Sequence, residues 1–228
     1  GPSARWVRVK GGYAATSDAE TPGISDPALW PTIVIQTCIV YSLGVIRIDG
    51  VTNGALENVT ITGGNNAGNG GGIDINNSSA LLLAGCTITN NRTTGGNRSG
   101  GGIHIDGFSD VIINGCSISR NYVGDDYLIT GGGISLDAGG RVLINNSIIA
   151  TNRGFTSHSG MYGAGIYNAG TMGVTNCLLY GNWLQYASGN DPYEHGDGIY
   201  SSGNLSLQNC TVVYNGNKGI ERGAGNLT

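Results

Sequence analysis

The stretch Gly101–Asn121, GGIHIDGFSDVIINGCSISRN, is the unit from which the whole chain is read. It opens on glycines and Ile103, runs through an apolar strand at Val111–Ile113, steps over Gly115-Cys116, passes a short strand around Ile118 and ends on Asn121. The same phrase occurs five times. Its openings end at Ile73, Ile103, Ile134, Ile166 and Ile199, with successive spacings of 30, 31, 32 and 33 residues. A second landmark sharpens the pattern: Cys86, Cys116, Ser147, Cys177 and Cys210 are each followed five positions later by an asparagine, namely Asn91, Asn121, Asn152, Asn182 and Asn215. A repeat of this length marks a solenoid. A degenerate copy runs from Ile46 through Val59 to Gly64, and another opens near Ile220.

Within a copy the side chains alternate with period 2. Ile103 and Ile105 point one way and His104 the other; Val111 and Ile113, then Cys116 and Ile118, point inward. Three short strands per repeat follow. Hairpins are excluded because no two-residue Asn-Gly turn recurs at one phase. The remaining solution is a coil in which each strand pairs in parallel with its equivalent one repeat on, about 4.8 Å away, over an apolar interior. The expected fold is therefore an all-β, right-handed parallel β-helix of about six to seven rungs, the hand following from the preference of parallel crossovers. In this coil the cysteines are a ladder of small buried side chains, since no C-x-x-C pair suggests zinc. The asparagines form a second ladder that ties turns from rung to rung, and Asn tolerates left-handed backbone.

Composition agrees. The 228 residues hold 42 glycines and only 11% charged residues, which favours turns over helix. A net charge of −4 without basic clusters excludes nucleic acid as an expected partner. No apolar run approaches the roughly 20 residues that span a bilayer, so membrane insertion is not expected.

The Gly-Gly-Gly-Ile and Asn-Cys-Thr-Val-Val-Tyr-Asn phrases, with the lead-in Gly11-Gly12-Tyr13 and Pro31-Thr32, resemble the right-handed parallel β-helix repeats of bacterial surface and secreted proteins. They are similar to polymorphic outer-membrane protein repeats and share the pectin-lyase-like fold. The resemblance covers residues 45–228 and implies a secreted or cell-surface location. It leaves activity open, because that fold hosts lyases, glycosidases, epimerases, adhesins and inert stalks. Residues 1–44 depart from the repeat and read as an irregular entry turn. Residues 45–228 read as the β-helix, expected to continue into further rungs or another domain, since nothing near Thr228 looks like a cap.

Function is sought in the connections. From the Asn landmark to the next Ile there are 12 residues after Asn91, 13 after Asn121, 14 after Asn152, 17 after Asn182 and 5 after Asn215. Such loops stack on one flank as a wall, and long loops on a rigid scaffold concentrate function. This wall holds Tyr122, Tyr127, Phe155, Tyr162, Trp183, Tyr186 and Tyr193, with His195 beside them. The rings either stack on sugar faces or pack among themselves. The opening strand beside the wall has a solvent-facing column Arg47, Asp74, His104, Ser135, Tyr167, Tyr200, followed one step on by Asp49, Asn76, Asp106 and Asp137. His104 with Asp106 and Asp137 is the candidate acid/base set. The alternative is that these aspartates end their strands by bonding turn amides. Asp125 and Asp126 resemble the paired aspartates of β-helical glycosidases and could take calcium; no other cofactor is required.

These signals favour a β-helix that binds polysaccharide through Tyr122, Tyr127, Phe155, Tyr162, Tyr167, Trp183, Tyr186, Tyr193, His195 and Tyr200 without catalysis. A polysaccharide lyase or glycoside hydrolase on the same scaffold is the rival, and a structural stalk or adhesin segment the third reading. An acid-lined, ring-rich face suits a neutral glycan.

Overall fold

The computed structural model describes residues 6–12, 25–36, 44–96, 98–125, 128–157, 160–186, 194–223 and 225–227. The chain coils with every named strand pair parallel. Its opening sheet stacks Ile46–Asp49, Ile73–Asn76, Ile103–Ile105, Ile134–Leu136, Ile166–Asn168, Ile199–Ser201 and Ile220–Arg222 in that order. A second sheet runs from Trp6–Lys10 through Asp110–Asn114 to Asn204–Gln208, and a third from Thr32–Ile35 through Ser117–Ser119 to Thr211–Val213, each again with seven strands.

Five full turns connect Ile46, Ile73, Ile103, Ile134, Ile166 and Ile199, and a shortened one reaches Ile220. That is slightly fewer than the six to seven rungs expected, because both ends pair only in part. Residues 6–10 and 32–35 extend the second and third sheets, while after Val213 the described residues add a strand to the opening sheet alone.

The three-strand turn was also too simple. The long connections contain two further parallel sheets. The fourth stacks Asn65–Asn66, Arg92–Thr94, Tyr122–Asp125, Arg153–Thr156 and Trp183–Tyr186; the fifth stacks Arg98–Ser99, Ile129–Thr130, Met161–Tyr162 and Glu194–His195. These strands are two to four residues long and lie in segments of unequal length, so their alternation is lost in sequence.

The interior is a set of like-on-like columns. Ile73, Ile103, Ile134, Ile166 and Ile199 are fully buried, as are Ile61, Ile88, Ile118, Ile149 and Leu179 of the third sheet. Removing each such side chain from water is worth roughly 1.5–3 kcal/mol. Among the described cysteines, Cys86, Cys116 and Cys177 are buried and Cys210 half-buried, all free. Their thiols donate to main-chain carbonyls, as from Cys86 to Leu56 at 3.3 Å. The Asn-Cys and Gly-Cys steps acquire a reason. The residue before the thiol position has a left-handed backbone, with φ of 61° at Gly85, 62° at Gly115, 51° at Asn146, 53° at Asn176 and 52° at Asn209, which only Gly and Asn adopt at low cost.

Of the ladder asparagines, Asn91, Asn121, Asn152 and Asn182 are buried and bonded at both ends, and Asn215 is half-buried. Asn152 Oδ1 accepts from the main-chain N–H and the Nδ2 of Asn121, each at 3.0 Å, and Asn152 Nδ2 donates to Ile118 O and Asn182 Oδ1. The left-handed residue is not the ladder asparagine but the one before it, at Asn90, Arg120, Thr151, Gly181 and Tyr214. The long connections have an apolar centre of their own: Val123, Ile129, Met161, Ala164 and Leu184, with Tyr186 packed against it. No helix long and apolar enough to cross a membrane occurs among the described residues.

Candidate functional site

The register places Arg47, Asp74, His104, Ser135, Tyr167 and Tyr200 side by side down the outer face of the opening sheet, as the sequence required, and adds Glu221. The expectation that this whole column faces solvent is corrected. His104 is only 4% exposed and Ser135 is fully buried. At His104 the cover is Asp74, Asp137 and Asn69, whose Nδ2 lies 3.4 Å from Nε2; at Ser135 it is the fifth sheet, whose strands the tight turns Gly100–Gly102 and Gly131–Gly133 fold back toward the column. Thr130 Oγ1 thus lies 3.2 Å from Ser135 Oγ and 2.7 Å from Ser99 Oγ.

His104 is clamped between two carboxylates from neighbouring turns. Nδ1 lies 2.8 Å from Asp74 Oδ1 and Nε2 lies 3.2 Å from Asp137 Oδ2. Burial by itself lowers the imidazole pKa, but the hydrogen bonds and charges of Asp137 and Asp74 outweigh it and raise the pKa to about 9. Burial raises the Asp74 pKa, and the hydrogen bonds of His104 and Asn76 with the charges of His104 and Arg47 together more than reverse this, leaving it below its ordinary value. At neutral pH the group is an imidazolium with both N–H bonds donated.

Asp106 stands apart from this clamp. Its Oδ2 accepts from Asn77 N at 3.0 Å, and its Oδ1 from Phe108 N at 3.1 Å and Ser109 Oγ at 2.6 Å. It ends its strand by bonding turn groups, the alternative weighed for it. Asp137 does not do so; its carboxylate goes to His104. Of the proposed set, two members meet and the third serves a turn.

Farther down the column the rings gather. Tyr162 of the fifth sheet stacks on His195 with centroids 4.9 Å apart and planes 10° apart, and meets Tyr200 edge-on at 4.7 Å. Tyr167 and Tyr200, direct partners on adjacent rungs, lie parallel at 5.9 Å. Glu221 Oε1 accepts from Lys218 Nζ at 3.0 Å and lies 3.0 Å from His195 Nδ1. Burial raises the Glu221 pKa, but these two partners hold it below its ordinary value. Burial, then the neighbouring Tyr162 and Tyr167, push the Tyr200 phenol up. A cleft of about 250 Å3 opens here between Leu128, Thr130, Tyr162, Tyr167, Tyr200 and Ser202.

The other expected rings occupy a second groove, on the fourth sheet. Tyr122, Phe155 and Trp183 line about 280 Å3 together with Arg153, Gly154 and Gln185. The guanidinium of Arg92 sits over the Tyr122 ring at 5.1 Å and that of Arg153 over Trp183 at 5.8 Å. The single wall is therefore two surfaces, one tyrosine-rich and one alternating arginine with rings. Tyr186 belongs to neither, since it packs on the connection core. Tyr127, Tyr193 and Asp126, and the side chain of Asp125, lie outside the described residues.

Among the described residues no group of three or more His, Cys, Asp or Glu side chains is placed to hold a metal. Asp197, two residues after His195, is buried and bonded to main-chain amides: Oδ1 accepts from Leu184 N, and Oδ2 from Asn217 N and Lys218 N. Sequence reasoning missed Arg92, Glu221 and the part of Lys218. Their signal was available in the register. Arg92, Tyr122, Arg153 and Trp183 each follow a ladder asparagine directly, and Glu221 follows the last opening isoleucine as Tyr200 follows its own.

The family described as "Right handed beta helix region" matches residues 31–227, and the chain belongs to it. A comparison with curated proteins gives no match, and neither does one with solved structures.

Proposed function

We propose that this β-helix is a secreted or surface-held protein that binds polysaccharide on the outer face of its long connections, without catalysing its cleavage. The observation that carries the reading is the tyrosine cleft. Tyr162, Tyr167 and Tyr200 present stacked, mutually braced rings beside the hydroxyls of Thr130 and Ser202, on strands fixed by two parallel sheets. Rings offer large amphipathic contact at little entropic cost, and hydroxyls exchange hydrogen bonds with sugar hydroxyls. The rings are already ordered by each other, so binding spends little on arranging them.

The state of His104 supports binding over proton transfer. An imidazolium held by two carboxylates and closed off from solvent has no free nitrogen to accept a proton near neutral pH. The test is affinity electrophoresis and pull-down against soluble and insoluble polysaccharides, with product analysis by mass and by ultraviolet absorbance of unsaturated sugars. Retention without new products is the expected result, and Tyr200→Ala should weaken it about tenfold, the scale of a lost stacking contact of about 1.4 kcal/mol. Retention unaltered in both Tyr167→Ala and Tyr200→Ala removes the cleft as the site. An unsaturated product moves the assignment to a lyase.

A further inference from the structure

The fourth sheet carries a pattern that the tyrosine cleft does not use. Arg92, Tyr122, Arg153 and Trp183 are direct partners on four successive strands, so cation and ring alternate along the axis. Neighbouring strands are about 4.8 Å apart, so Arg92 and Arg153 leave the sheet about 10 Å apart with Tyr122 between them, and each guanidinium leans over the ring of the next strand. Arg92 and Arg153 are exposed, and among the described residues neither is paired with a carboxylate; Trp183 is 44% exposed. The Tyr122 ring lies down along its own strand, in space that a Cβ on Gly124 would occupy, and Phe155 and Gln185 complete the groove.

We propose that this ladder makes the protein selective for glycans with an acid group on every second sugar. The inference rests on the polysaccharide reading and specifies its ligand, replacing the neutral glycan expected from sequence. An extended glycan lying along the axis advances by close to one strand spacing per sugar. It meets cation, ring, cation, ring in turn. A guanidinium takes a carboxylate or a sulfate through paired hydrogen bonds, and a ring takes the apolar face of an uncharged sugar. A polymer charged on every sugar would set anions against the negative ring faces of Tyr122 and Trp183, and a neutral one leaves both guanidinium groups without a counter-charge. The chain's net charge of −4 repels polyanions in general, so the local register of charges decides which is retained.

The experiment is calorimetric titration of the full chain with four oligosaccharides of equal length: hyaluronan, with carboxylates on alternate sugars; kappa-carrageenan, with sulfates on alternate sugars; oligogalacturonate, charged throughout; and neutral cello-oligosaccharide. One of the alternating pair should bind at least tenfold more tightly than either of the others, and more weakly as salt rises. Which of the two binds better assigns carboxylate or sulfate. Arg153→Gln should remove the preference, with Arg153→Lys restoring part of it and the thermal midpoint unmoved in both. Binding of the neutral chain that falls in Tyr200→Ala but not in Arg153→Gln overturns the ladder and leaves the polysaccharide reading standing. Absence of binding to all four overturns the ladder, and failure of the wider pull-down described above overturns the reading itself.

Discussion

The upper and lower halves of one column of side chains differ in a way the backbone does not. Asp74, His104 and Ser135 occupy the same positions on the opening sheet as Tyr167 and Tyr200, one rung after another. In the upper half a buried charge is neutralised on both sides, and the site is closed. In the lower half rings too large to be covered by the fifth sheet brace one another and leave a cleft. A repeating backbone thus supplies equivalent addresses, and the size and charge of the occupant decide whether an address is closed as an ion pair or left open as a cleft.

The comparison can be broken in order of expected effect. Both halves hang on the asparagine ladder, so Asn152→Ala should destabilise the whole coil by roughly 4 kcal/mol, since it strands buried donors of Asn121 and an acceptor of Ile118 that each cost about 1–3 kcal/mol. Chemical denaturation measures this, and a loss under 1 kcal/mol would show the ladder to be decorative. Ile134→Ala should cost about 3 kcal/mol, within the range for buried aliphatic truncations.

His104→Gln should come next, with a loss on the order of 2 kcal/mol at pH 7. The sign follows from the raised value: the stabilisation is complete below about pH 6.5, and it drains away as pH climbs through about 9. Asp74, whose pKa is depressed, contributes above its ordinary 3.8 and loses that contribution as pH falls below it. Thermal midpoints of the parent chain should therefore decline on both sides of a plateau, and the alkaline decline should vanish in His104→Gln. A decline of equal size in the variant would mean that another group titrates there.

The smallest stability effect belongs to the lower half. Tyr200→Ala, at a half-buried cleft position, should cost about 1 kcal/mol by the loss of its ring contacts while lowering glycan affinity. The paired measurement sharpens the contrast: stability should respond most at His104 and affinity most at Tyr200. Equal loss of affinity in His104→Gln would erase the distinction between the two halves.

Much of this was legible in the chain because a coil of constant pitch turns a sequence offset into a spatial neighbour. The offset of five from Cys86 to Asn91 predicted two buried ladders, and both are present. The offset from one opening isoleucine to the next predicted that His104 would lie between Asp74 and Ser135, and it does. What failed was the assignment of depth. His104 read as exposed because Ile103 and Ile105 on either side of it face inward, whereas its cover comes from groups distant in sequence: Asp74, Asp137 and Asn69, whose Nδ2 lies 3.4 Å from His104 Nε2. Asp106 and Asp137 looked equivalent in sequence, yet one bonds its turn and the other reaches across to His104 on the adjacent rung.

The sequence alone determined the coil, its parallel register, its buried columns and the identity of residues at each repeated address, because each repeat can bury its apolar face only against the next copy of itself. Only the tertiary structure decided that the long connections are two further sheets, that the expected wall of rings is a tyrosine cleft and a separate arginine ladder, and that His104 is a closed ion pair. The reason is physical: periodic apolar burial is written into every repeat, but whether a polar side chain is covered or exposed depends on irregular segments of unequal length, whose folding over the coil no single repeat encodes.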